Sequence, residues 1–327
     1  MKNMKRILTA ALVTVLAVST IACGKKEDGK KEIGIIKMMD HVALNQSEEG
    51  FVAALKDKGF VDGKNITLTY QNGQGDINNL PTIADKFVGD KVDLIFAIAT
   101  PSAQAAAGKT TTIPIIGTAI TDFTSAGLVE SDEVPNTNVS GTNDMNPIAA
   151  QIDLMFQLCP DVKTVGFVYN SSEDNSTLQI NIVKEILDAK GITYVERTVS
   201  STNDVQQAVT SIVTECDAIY LPTDNTLATS MATVNEVTVA AKIPVICGET
   251  GMVASGGFAT LGINYYDLGY QAGVMAVKVL NGEDISKMPV ETSTDYVYSI
   301  NKDVAEALGI AIPEELTQYF ITTTQAE

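Results

Sequence analysis

The chain has 327 residues, enough for two domains at the usual ~100–200 residues each. Its formal charge is -18, and a surface that acidic repels nucleic acid phosphates and anionic lipid headgroups, so neither is expected as a partner. One histidine, four cysteines and no Cys-x-x-Cys argue against a metal site, and no cofactor is implied.

The first 22 residues have a basic start (Lys2, Lys5, Arg6), an apolar run from Ile7 to Val18 and small residues before Cys23. This is a signal peptide that stops at a cysteine. Its apolar run is about a dozen residues, short of the roughly 20 that a membrane span needs. It resembles a bacterial lipoprotein signal, which implies lipidation of Cys23. Residues 23–31 then form a lysine-rich flexible leash, and the rest works on the extracytoplasmic face of the membrane, in a periplasm or at the cell surface. Cys159, Cys216 and Cys247 read as free buried thiols.

Beyond the leash, strand-length apolar runs alternate with helix-length amphipathic stretches. Expected strands are 32–39, 66–70, 92–98, 113–118 and 139–142. The helices between them are 46–58, 77–88 and 101–108. The pattern then restarts with helices at 148–158, 178–189, 205–213 and 227–240, interleaved with strands at 164–169, 192–199, 218–221 and 245–247. A tail follows, with strand 257–263, helix 268–280, strand 295–300 and helix 302–308. Two βαβα series imply an α/β fold of two doubly wound parallel-sheet lobes. The tail must join one lobe or both, which gives a hinge of several chain crossings. The expected division is 32–142 plus about 263–293 for the first lobe, and 143–262 plus about 294–327 for the second.

In such sheets a ligand sits beyond the carboxyl ends of the strands. Those ends place Asp40, His41 and Leu44 after the first strand, Ser102 at a helix start, and Thr118, Thr121 and Phe123 near the fourth. In the second series they place Tyr169 and Asn170, then Asp224 and Asn225, then Glu249. A hydroxyl and free N–H groups at a helix start suit a carboxylate. Acids facing a cleft suit an ammonium, so the two walls together describe an amino-acid zwitterion. Taken singly, Ser102 reads as a helix cap, Asp224 as the cap of helix 227–240, and Glu249 as a solvated first-turn acid. His41 reads as a structural or cleft-lining residue. The stretch ending in Gly108-Lys109-Thr110 lacks the first glycine of a phosphate loop and ends a helix rather than starting one. No Gly-x-Ser-x-Gly elbow is present, and no enzyme signature is seen.

Several segments together resemble the ABC-transporter substrate-binding lipoproteins of the tryptophan/tyrosine type, within the type I periplasmic-binding-protein fold. They are Asp40-His41-Val42-Ala43-Leu44-Asn45, Ala99-Thr100-Pro101-Ser102-Ala103-Gln104, Leu221-Pro222-Thr223-Asp224-Asn225-Thr226 and Tyr265-Tyr266-Asp267-Leu268-Gly269. Val42 stands where that family often has Pro, and Asn45 where it often has Asp. The resemblance implies two lobes closing on one small ligand, an aromatic amino acid; the mix of Met and Leu with Tyr and Phe among the pocket candidates keeps a branched aliphatic amino acid as the alternative. The resemblance also implies delivery to an ABC permease with ATPase subunits by a monomer. Ser102 and Thr118 would hold the carboxylate, Asp224 and Glu249 the amino group, and Tyr169, Phe123, Leu44 and Met39 the side chain. A sensor of the same fold, reporting to a membrane signalling protein, fits the sequence equally.

Overall fold

A computed structural model describes residues 29–293 and 295–323. The signal peptide, Cys23 and most of the leash lie outside the described residues. The first sheet is built from β1 (Lys31–Lys37), α1 (Val42–Asp57), β2 (Ile66–Asn72), α2 (Leu80–Asp90), β3 (Leu94–Ile98), α3 (Thr100–Ala107), β4 (Ile115–Ile120) and β5 (Val139–Asn143). The chain then enters a second sheet through α4 (Ile148–Leu158), β6 (Thr164–Asn170), α5 (Asp174–Lys190), β7 (Thr193–Val199), α6 (Thr202–Ile212) and β8 (Ala218–Leu221). That sheet continues with α7 (Asn225–Thr229), α8 (Met231–Ala241), β9 (Val245–Cys247), α9 (Thr250–Ala254) and β10 (Ala259–Gly262). The tail contributes α10 (Tyr265–Leu280), β11 (Glu291–Thr292), β12 (Val297–Asn301), α11 (Lys302–Leu308) and β13 (Phe320–Ile321).

Strand order is β11-β5-β4-β3-β1-β2 in one sheet and β13-β12-β10-β9-β8-β6-β7 in the other. From the edge, each sheet therefore runs second, first, third, fourth, fifth, the doubly wound order whose crevice opens between the first and third strands. This is the fold class expected from the sequence. Pairing is parallel except where β12 runs antiparallel to β10. Central strands are buried along their length, as in β3 and β4, whereas the edge strands β2 and β7 are partly exposed. Central parallel strands are covered on both faces and so read as continuous apolar runs.

The fifth strand of each series is followed by a helix that packs under the other sheet. After β5, α4 crosses and joins the second core through Ile148, Ile152 and Met155. Its buried Gln151 donates to the carbonyls of Gly248 (3.0 Å) and Leu261 (2.9 Å) and accepts from the Tyr220 hydroxyl (2.8 Å). After β10, α10 crosses back and adds Leu268, Ala272, Met275 and Ala276 to the first core. There it lies against α1 at backbone contact. A Cβ on Gly269 would lie 1.9 Å from the Ser47 carbonyl oxygen, and one on Gly50 would lie 2.0 Å from that of Tyr266. A third crossing joins β11, paired with β5, to β12, paired with β10.

Differences from the expected elements have local causes. Helix α1 begins at Val42, four residues before the expected start, so His41 is its N-cap. The expected helix 227–240 is two helices, α7 and α8, that meet at Ser230, whose hydroxyl donates to the Thr226 carbonyl (2.9 Å). The five-residue helix α9 was not foreseen. Glu249 caps it by accepting from the Gly251 and Met252 N–H groups. Among the described residues no helix is long and apolar enough to cross a membrane.

Candidate functional site

The carboxyl ends of both sheets face each other, and side chains there reach across. His41 Nε2 lies 3.1 Å from Asn225 Oδ1. Gln104 donates to Asp174 (2.9 Å), Gln179 donates to Thr121 (3.1 Å), and the Thr121 and Thr223 hydroxyls are 3.4 Å apart. These contacts enclose a cavity lined by His41, Leu44, Thr121, Asp144, Asn175 and Tyr265, among others. The space between the lining side chains comes to about 300 Å³, part of it open to solvent, yet only about 20 Å³ can take the centre of a water molecule. The site is narrow throughout rather than an open chamber.

Six of the residues singled out in the sequence line this cavity: His41, Leu44, Thr121, Asp224, Asn225 and Glu249. The others lie elsewhere. Asp40 is turned outward by its ion pair with Lys37 (2.8 Å). Ser102 is fully buried in the first turn of α3, and its hydroxyl has no partner. The Thr118 hydroxyl is engaged by Thr142 (2.9 Å), because an irregularity in β4 between Gly117 and Ile120 gives the outward place to Ala119. Phe123 belongs to the first core. Tyr169 donates to Glu196 (3.1 Å) on the edge strand β7. Asn170 lies behind Asp224, to which its N–H donates (2.6 Å).

The two acids expected to face a cation are already committed. Asp224 caps α7, accepting from the Leu227 N–H (2.8 Å), the Asn170 N–H and the Ser176 hydroxyl (2.8 Å). It is both a cap and a cavity wall. Burial raises its carboxyl to about 8, and the nearby Glu173 carboxylate adds to that rise. Glu249 is not a solvated first-turn acid. It is 2% exposed, and burial lifts it to about 7 against its two N–H bonds.

Sequence reasoning missed Glu173, Asp144, Asn175 and Tyr265. Glu173 is fully buried and organises the second wall, accepting from the Asn225 side-chain amide (2.6 Å) and the Thr226 hydroxyl (3.2 Å). The amide of Asn225 is thereby oriented with its oxygen toward His41. The imidazole must then donate from Nε2, which leaves Nδ1 as an acceptor. Burial holds His41 down to about 4, so the ring is neutral. Its Nδ1, Asp144 Oδ1 and Asn175 Oδ1 are buried without a hydrogen-bond partner, and all three residues line the cavity. Buried polar atoms in folded proteins are rarely unpaired, and an unpaired one calls for an explanation. Acceptors without donors, with no lysine or arginine in the lining, match a ligand rich in N–H or O–H groups. Among the described residues no group of three or more His, Cys, Asp or Glu is arranged to hold a metal ion.

The chain resembles a tyrosine-binding protein of Clostridioides difficile, at 42% identity over 94% of this chain and 93% of that protein. Among solved structures, an ABC domain in complex with L-Trp from Streptococcus pneumonia is 36% identical, covers 89% of this chain and 100% of that one, and superposes with a TM-score of 0.86. A ligand-free, open structure of a substrate-binding protein with adhesive properties from Clostridium difficile is 45% identical. It covers 90% of this chain and 100% of that one, with a TM-score of 0.69. Shape and sequence rank these two in opposite order. The lobes here stand nearer to the ligand-bound arrangement than to the open one, in keeping with the side-chain contacts across the cleft. A family model described as ABC transporter substrate binding protein matches residues 32–323. Two doubly wound sheets, facing strand ends that enclose an acceptor-lined cavity, and this match along the length of the fold make the chain a member of the ABC transporter substrate binding protein family.

Proposed function

We propose that the chain is the extracytoplasmic receptor of an ABC importer, anchored by a lipid on Cys23, and that it captures an aromatic amino acid between its two sheets. It works as a monomer and hands its ligand to a permease with ATPase subunits. The observation that carries the reading is the convergence of three unpartnered acceptors, on His41, Asp144 and Asn175, on one narrow cavity between the lobes. An ammonium supplies three donors at once. Leu44, Ala43, Ala119 and Ala228 supply apolar wall for a flat side chain. The start of α3, where the buried hydroxyls of Thr100 and Ser102 lack partners, follows β3, and Thr100 lines a neighbouring pocket that shares Asn175 with the cavity, which suits the carboxylate. The ligands named for the two relatives, tyrosine and L-Trp, support an aromatic choice.

Thermal unfolding of the purified protein against the twenty amino acids tests this. A ligand at 100 times its dissociation constant adds about 2.7 kcal/mol to stability, and Tyr or Trp is expected to do so. A shift with Leu, Ile or Val alone would replace the aromatic ligand with a branched one. No shift, with no small molecule released on denaturation, would end the receptor reading. For the anchor, Cys23→Ser is expected to move the protein from the membrane to the soluble fraction. Retention at the membrane would refute lipidation at that cysteine.

A further inference from the structure

Asp144 follows β5 directly, at the first of the three places where the chain passes between the sheets. Tyr265 stands at the second, opening α10 after β10. The two are joined, for the Tyr265 hydroxyl donates to Asp144 Oδ2 at 2.7 Å. A neighbouring bond runs the same way: Asn146 accepts from the Ile263 N–H (3.2 Å) while its amide donates to the Asp144 carbonyl (2.9 Å). The first two crossings are thus tied to each other by side chains.

The other carboxylate oxygen of Asp144, Oδ1, is buried, unpartnered and part of a residue that lines the cavity. Asp224 and Glu249 line the same cavity, but each oxygen of theirs already accepts a hydrogen bond from the protein. Of the carboxyl groups in the lining, only Asp144 keeps an oxygen that accepts no N–H bond from the protein, with the Thr121 hydroxyl as its polar neighbour. A cationic donor entering the site finds its partner there, and a charge-assisted hydrogen bond is about twice as strong as a neutral one.

We propose that Asp144 takes the ammonium of the bound amino acid and that, through the Tyr265 hydroxyl, it ties that contact to both hinge crossings. Ligand occupancy is then read at the hinge itself and not only where the two walls meet. This rests on the amino-acid reading given above. Tyr265 is a positioning residue in this scheme. Its hydroxyl fixes the rotamer of Asp144 so that Oδ1 faces the ligand.

The test compares L-tyrosine with its deamino analogue, 3-(4-hydroxyphenyl)propionate, by calorimetry on wild type, Asp144→Asn and Tyr265→Phe. The wild type is expected to prefer L-tyrosine strongly. Asp144→Asn should lose at least tenfold in affinity for L-tyrosine and little for the analogue, because only L-tyrosine brings a charged donor to that oxygen. Tyr265→Phe, a milder change that keeps the ring, should show the same selective loss at smaller size. Equal losses for both ligands would mean a purely structural role and would overturn the proposal, as would an Asp144→Asn variant that binds L-tyrosine like the wild type. A wild type that binds no amino acid at all would instead end the amino-acid reading, and the proposal with it.

Discussion

Gly269→Ala is expected to destabilise the protein by about 3 kcal/mol, the upper end of what overpacking a tight interior costs. The added methyl would meet the backbone of Ser47, with the carbonyl oxygen at 1.9 Å and Cα at 2.6 Å. Backbone cannot rotate aside as a side chain can, so α1 and α10 must separate. That opens the core around Phe51, whose ring stacks on Phe96 at a centroid distance of 3.6 Å. At the ~2–4 °C per kcal/mol of domains of 150–250 residues, the midpoint should fall by roughly 6–12 °C. Gly89→Ala is the control. It sits on α2 with nothing within 4 Å of the added carbon, and is expected to leave the midpoint unchanged or raise it slightly. Equal midpoints for the two variants would show that the helices separate freely. Because α1 carries His41 at its N-cap and Leu44 in its first turn, Gly269→Ala should also weaken ligand binding from a distance.

The second large effect concerns acid. Between pH 6.5 and 4, the wild type is expected to lose roughly 3 kcal/mol of stability relative to His41→Gln. The ring titrates at about 4 when folded, against an ordinary value of 6.5, so the unfolded chain takes up a proton through that window and the folded one does not. Each unit of that difference is worth about 1.4 kcal/mol. Lys37 nearby works in the same direction as burial, while Asp40 and the Asn225 bond work against it. Glu249 has the opposite sign. Its folded value of about 7 lies above the ordinary 4.5, so its contribution is present in full below 4.5 and disappears as pH rises through 7. Asp224, pushed up to about 8 by burial and by Glu173, has the same sign as Glu249, and burial raises Asp144 in that direction too. In the wild type His41 opposes these carboxyls. In His41→Gln they are unopposed, and that variant should gain more stability than the wild type on acidification from pH 7 to 4.5. Urea titrations at several pH values measure both slopes; parallel profiles for wild type and variant would refute the neutral, enclosed histidine.

Much of this was readable from the chain. Helix 148–158, strands 218–221 and 245–247 and helix 302–308 fall where periodicity places them, because each is bounded by residues that cannot continue it. The cavity side of His41, Leu44, Asp224, Asn225 and Glu249 was readable too, since each follows a strand that ends at the crevice. What escaped has a common cause. Asp144 and Tyr265 follow β5 and β10, the strands after which the chain leaves its sheet, and a strand end that leads into a crossing looks in sequence like a linker. Thr118 and Thr121 could not be told apart, because an irregular step in a strand changes which side chain faces outward and leaves little trace in composition. Glu173 lies in a polar run, and only its burial against Asn225 and Thr226 marks it out.

The exchange of α4 and α10 has a consequence for how the molecule comes into being. Five of the six strands of the first sheet have been made by residue 143, yet one face of that sheet lacks its second covering helix until residue 280. No N-terminal fragment that stops short of α10 can bury that face, so neither half of the chain is a self-sufficient folding unit. The two lobes should melt together in one cooperative transition, and a nascent polypeptide should stay uncommitted until most of it exists. For the exported receptor proposed above, late commitment would keep the chain transportable.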